Sequence, residues 1–133
     1  MKKSLRLIFV SLLLAVGVLA QPVVEKIDPP TWWAGSTVNP IRVLLTGSNL
    51  KNAKITAPVG SGFTVSQLRP SENGNYLFFD LRIAATAKIG KHNFKISSEG
   101  STSDFAFELT KKDVSATKHR GYTPDDVIYF VIP

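Results

Sequence analysis

Between residues 23 and 109 apolar and polar side chains alternate with a period of two, which limits this stretch to β-strands. The clearest case is Tyr76–Ile83, where Leu77, Phe79, Leu81 and Ile83 share one face and Asp80 and Arg82 occupy the other. Ile41, Val43 and Leu45 alternate with Arg42 and Thr46, and Phe94 and Ile96 with Asn93 and Lys95. Phe105, Phe107 and Leu109 alternate with Asp104 and Glu108. Weaker strands are expected at residues 23–27, 54–57 and 63–68. The breaks carry turn chemistry: Gly47-Ser48-Asn49 and Asn73-Gly74-Asn75 tolerate positive φ, and Pro58 and Pro70 stop ladders they cannot donate to. Seven short strands in about 90 residues, with no sustained helical period, predict an all-β, immunoglobulin-like β-sandwich. The inward-facing sets form one core between two sheets.

The first 20 residues read differently. Lys2, Lys3 and Arg6 precede an apolar run over residues 7–19, and Val18-Leu19-Ala20 supplies small or modest residues before Gln21. This is the pattern of a signal peptide cleaved after Ala20. The run is 13 residues long, short of the ~20 that span a bilayer in a helix. The expected location is therefore exported, periplasmic or extracellular, with membrane contact only through the signal peptide during export. Removing Lys2, Lys3 and Arg6 leaves 13 basic against 10 acidic side chains, a net charge of +3 where the whole sequence carries +6. Lys111, Lys112, Lys118 and Arg120 sit together in an apparent linker, so the sandwich itself is nearly neutral and no nucleic acid partner is expected. There is no cysteine, so the domain has no disulfide and depends on its apolar core.

After Leu109 the pattern changes. Residues 111–121 are polar, basic and aperiodic, a linker between a domain at 21–110 and a final segment at 122–133. Val127-Ile128-Tyr129-Phe130-Val131-Ile132 is a continuous apolar run, as in a strand of a parallel sheet buried on both faces. The sequence ends one residue later at Pro133, and the segment reads as the start of a second domain cut short.

Candidate site residues are few. Trp32 and Trp33 are the only tryptophans; an exposed indole can stack on a sugar ring, whereas a buried one fills the end of the sandwich or a seam with another domain. Neighbouring side chains on a strand point to opposite faces, so the two are not expected to form one platform. Packing is the favoured reading for them. Tyr76 and Phe78 fall on the outward face of the best strand, as at an interface with another domain or a glucan, unless a local twist buries one. His92 shares parity with Phe94 and belongs at the rim of the core, and His119 lies in the linker; neither has the companions of a metal site. No Gly-x-Ser-x-Gly elbow is present, so Ser-based nucleophilic catalysis has no support, and no phosphate-cradling glycine loop precedes a helix; no cofactor is expected.

Two stretches carry a family resemblance. Ile27-Asp28-Pro29-Pro30-Thr31-Trp32-Trp33-Ala34-Gly35, followed by Gly47-Ser48-Asn49-Leu50, resembles the N-terminal immunoglobulin-like domain of the cyclomaltodextrinase/neopullulanase group of the alpha-amylase superfamily. Gly121-Tyr122-Thr123-Pro124-Asp125-Asp126 with the apolar run after it is similar to the first strand of that group's (β/α)8 catalytic barrel. The resemblance implies an accessory domain of an α-glucan-hydrolysing enzyme that contacts a catalytic barrel, its own or that of a partner subunit in a homodimer. It implies no catalytic residue here. The group's nucleophile Asp, acid/base Glu and third Asp lie on later strands with no counterpart in this sequence. Asp125 and Asp126 are adjacent and precede the strand, whereas glycoside hydrolysis needs two carboxylates held across the scissile bond. The alternatives are a stand-alone module binding α-glucan oligosaccharides through Trp32, Trp33 and Tyr76, and a structural or adhesion sandwich with no sugar role.

Overall fold

The computed structural model describes residues 21–113. The segments read from sequence as signal peptide, most of the linker and the barrel strand lie outside these residues. The described chain contains eight strands: β1 (Val23–Asp28), β2 (Thr31–Trp33), β3 (Ile41–Ser48), β4 (Lys54–Thr56), β5 (Phe63–Pro70), β6 (Tyr76–Ile83), β7 (Gly90–Ser98) and β8 (Ser101–Thr110). They form two sheets, ordered β1-β3-β6-β5 and β2-β8-β7-β4. With β2 taken as a detached continuation of β1, this is the strand order of an immunoglobulin-like sandwich, four strands facing three.

The eighth strand, β2, was not expected, and its origin is local. Pro29 and Pro30 have no amide hydrogen, so the β1–β3 ladder stops at the Asp28–Leu44 pair. The chain then crosses to the other sheet, where β2 pairs in parallel with the last three residues of β8. Two bonds fasten it there: Ala34 N–H donates to Thr110 O at 2.9 Å, and the Thr110 hydroxyl donates to Trp32 O at 3.0 Å.

The core is the one the alternation anticipates. Val43, Leu45, Leu77, Phe79, Leu81, Phe94, Ile96, Phe107 and Leu109 are essentially inaccessible to solvent. Phe94 stacks on Phe105 at 5.4 Å and meets Phe63 edge-on at 5.5 Å, and Phe63 meets Phe107 edge-on at 6.2 Å. Each buried ring contributes about 1.5–3 kcal/mol from its area, and the contacts between rings add to this.

At the end of the sandwich where β2 and β3 are joined, the Asn39 side chain imitates a strand. Its amide donates to Ile83 O at 2.7 Å, and its oxygen accepts from Ile83 N–H at 3.0 Å. At the opposite end, the Gly47-Ser48-Asn49-Leu50 element has a separate reason at nearly every position. Asn49 adopts φ 58°, and fully buried Leu50 donates its N–H to Gly74 O. Gly47 differs from expectation, because no positive φ is demanded of it. A Cβ there would overlap the backbone carbonyl of Val23, so the glycine permits close approach of β1. The approach coincides with a bulge, since the β1–β3 register shifts by one between Val24 and Lys26.

None of the four outer edges offers a long regular ladder. β1 carries that bulge, and β5 carries a second between Ser66 and Arg69, with Gln67 at φ 54°, before ending in Pro70. β2 and β4 have three residues each. Such edges resist addition of a foreign strand, which leaves the two broad faces and the loops as surfaces for recognition.

Candidate functional site

The four aromatic residues singled out from sequence fall into two pairs on different sheets. Trp32 and Trp33 are on β2, at the edge of one sheet, and Tyr76 and Phe78 are on β6, inside the other.

In the first pair, the expectation that the two rings point apart does not hold. Their centroids are 4.3 Å apart with an interplanar angle of 18°, a stacked arrangement. Alternation fixes the direction of Cβ, but an indole is long enough to swing back over its neighbour on a three-residue edge strand. Trp32 packs partly buried against the core, opposite Leu109 in the ladder. Its Nε1–H is enclosed and has no hydrogen-bond partner among the described residues. Trp33 lies outside it, 37% exposed. Beside Trp33 is a shallow cleft of about 180 Å³, whose walls include Ser36, Val38, Asn39 and Ile83. A second cleft lies between Trp33 and residues 110–113, where the chain leaves β8. Trp32 is thus a packing residue that supports Trp33, and Trp33 presents its remaining surface at the point of chain exit.

The second pair behaves as the alternation predicts. Tyr76 and Phe78 are 45% and 42% exposed on the outer face of the β1-β3-β6-β5 sheet. They have a companion not anticipated from sequence. Leu44 is directly opposite Phe78 and only half-buried, at the centre of the same face. Its signal was available: Leu44 is an apolar residue on the polar side of a strand that otherwise alternates strictly. The row across the sheet reads Asp28, Leu44, Phe78, Arg69, and the next reads Lys26, Thr46, Tyr76. On the other side of Phe78, the Arg42 guanidinium donates to the Asp80 carboxylate at 2.9 Å. This bond holds the Asp80 carboxyl below its usual range, with the Arg69 charge contributing in the same direction, and raises the pKa of Arg42. Lys26 pairs with Asp28 at 2.6 Å at the margin.

Of the remaining candidates, His92 is the one among the described residues. His92 is half-buried at the rim of the core, its ring 4.8 Å from that of Phe63 and its Nε2 2.7 Å from Lys88 O. His119, Asp125 and Asp126 lie outside the described residues. Among the described residues no group of three or more His, Cys, Asp or Glu is placed to hold a metal. The clefts beside Trp33 and around Glu99 contain at most one carboxylate each.

The fold and surface define an immunoglobulin-like sandwich with aromatic side chains exposed on the outer face of one sheet. Comparison with known proteins narrows this. Residues 26–113 match the family described as cyclomaltodextrinase, N-terminal, and the chain belongs to that family. Among solved structures, it is similar to domains 4 and 5 of the S-layer protein SbsC, at 16% identity and a TM-score of 0.40. The likeness covers 69% of this chain and 55% of that one, so the chain spans about half the length of that structure. It is too loose to bear on function.

Proposed function

We propose that this chain is the non-catalytic N-terminal accessory domain of an exported α-glucan-hydrolysing enzyme of the cyclomaltodextrinase/neopullulanase type. Its work is to pack on the catalytic (β/α)8 barrel and help shape the substrate entrance. The match to the family over residues 26–113 carries this reading. Among the described residues the apolar side chains close into one two-sheet core, as expected of a packing domain. The decisive experiment is to read the coding sequence beyond Pro133. The proposal expects a continuous frame encoding a barrel with its acidic catalytic residues, and a stop codon at that point overturns it. Export is tested by sequencing the N-terminus of the mature protein, which should begin at Gln21.

A second reading is favoured by one observation. Trp33 keeps part of its surface exposed beside a cleft while Trp32 supports it from behind, a pre-arranged surface for stacking on a glucosyl ring. It predicts heat of binding with maltohexaose in calorimetry that Trp33→Ala abolishes. Absence of heat with the unmodified chain removes it.

A further inference from the structure

We propose that Asn73 is a site of spontaneous covalent modification, where the folded turn converts a side-chain amide to a carboxylate and directs the product to aspartate rather than isoaspartate. The proposal is independent of the function proposed above.

Asn73 and Gly74 lie in the turn between β5 and β6. The fold itself imposes the glycine: its φ is 70°, and a Cβ there would meet the backbone nitrogen of Lys51 at 3.3 Å. A residue without a side chain leaves its amide nitrogen open to attack on the preceding side chain. The other five asparagines lack this neighbour. Asn39 is followed by proline, and Asn49, Asn52, Asn75 and Asn93 are followed by leucine, alanine, tyrosine and phenylalanine. Asn73 is also exposed, so water and base reach it.

The turn uses only one end of the Asn73 amide. Oδ1 accepts from the Ser71 hydroxyl at 2.7 Å and from Asn75 N–H at 3.1 Å. Nδ2 donates no hydrogen bond among the described residues. A carboxylate would keep both accepted bonds, so the turn does not need the amide.

The same two donors assist the reaction. Gly74 N loses its proton to solvent base and attacks Asn73 Cγ, and negative charge collects on Oδ1, where Ser71 and Asn75 stabilise it. The Cγ–Nδ2 bond then breaks, Nδ2 leaves as ammonia after protonation by water, and a five-membered succinimide remains. Water opens this ring in one of two ways. Attack at Cγ again puts the charge on Oδ1 and breaks the Cγ–N bond, which gives aspartate. Attack at the main-chain carbonyl carbon of residue 73 breaks the original peptide bond and gives isoaspartate. That carbonyl accepts no hydrogen bond among the described residues, so the turn favours the first route. Isoaspartate would also lengthen the chain path by a methylene, disturbing the bonds from Ser71 N–H to Tyr76 O at 2.8 Å and from Leu50 N–H to Gly74 O at 2.9 Å. One water is consumed and one ammonia released, with no oxidant. Because Gly74 N–H donates to Ser71 O at 3.1 Å, local opening of this bond sets the pace.

The test holds the folded chain in mildly alkaline buffer over successive days, beside the same chain unfolded in guanidinium, and weighs the digested peptides by mass spectrometry. The peptide carrying residue 73 should gain the mass of amide-to-acid exchange before any other asparagine does, and faster as the pH is raised. Asn73→Gln should abolish the matching acidic species in isoelectric focusing, since a longer side chain closes its ring far more slowly. Asn73→Asp should melt as the parent does. The ratio of aspartate to isoaspartate, read with a protease that cuts before aspartate alone, should be at least about threefold higher in the folded chain than in guanidinium. Ser71→Ala, verified as folded by circular dichroism, should lower that ratio. No conversion at residue 73 in the folded chain by the time the unfolded chain has converted overturns the proposal. So do earlier conversion at another asparagine and equal product ratios in the two states.

Discussion

Trp32 and Trp33 stand side by side in sequence, whereas Tyr76 and Phe78 are separated by one residue, and this spacing decides what each pair does. Residues two apart on a strand share a face, so Tyr76 and Phe78 are displayed together on the outside of a sheet whose inner face holds Leu77 and Phe79. Adjacent residues start from opposite faces, yet the Trp32 and Trp33 rings stack, with Trp32 packed partly buried on the core and Trp33 partly exposed over it. Trp32 thus gives its apolar surface to the core, whereas Tyr76 and Phe78 keep theirs exposed.

That comparison can be broken most readily at Trp32. Trp32→Ala should cost about 3 kcal/mol in a denaturant titration, since it removes a ring packed on the core and the support of Trp33. A loss under about 1 kcal/mol would mean that the pair is a surface feature like the other. Asn39→Ala should cost about 1–3 kcal/mol, because it strips both backbone groups of Ile83 of their partner beneath the Trp33 cleft. Asn39→Asp sharpens the point: an acid still accepts from Ile83 N–H but cannot donate to Ile83 O when ionised. Phe78→Ala should leave the stability of the chain within about 0.5 kcal/mol of the parent, its effect appearing only where a partner is bound.

The smallest effect concerns pH. The Arg42 hydrogen bond holds the Asp80 carboxyl below its ordinary value of 3.8, so the contribution of this pair is complete above that value. It is lost as the pH falls through the lowered folded value. Calorimetric melting points of wild type and Asp80→Asn should differ by a small constant amount above pH 5 and converge below 3.8. A difference that grows on acidification contradicts the assignment.

Much of the fold was legible because its strands are regular. The strand Tyr76–Ile83 could be assigned residue by residue, and each inward side chain read there is buried in the structure. β2 was illegible for a physical reason. Three residues after two prolines show no period, and their partner in β8 lies 77 positions away in the chain. The role of Gly47 was misassigned because a glycine beside Ser-Asn suggests a turn, while the demand on it comes from the bulged β1 strand lying over it. Of the candidate site, the exposure of Tyr76 and Phe78 followed from parity alone. The completion of that face by Arg69 needed the bulge at Gln67, which shifts the register of β5 by one and brings Arg69 beside Phe78.

The two pairs are compared most directly by hydroxyl-radical footprinting of this chain. Tyr76 and Phe78 should react several-fold faster than buried Phe79 and partly buried Trp32, with Trp33 at a rate matching its partial exposure. Trp32 reacting as fast as Tyr76, or Tyr76 and Phe78 reacting as slowly as Phe79, would contradict the comparison.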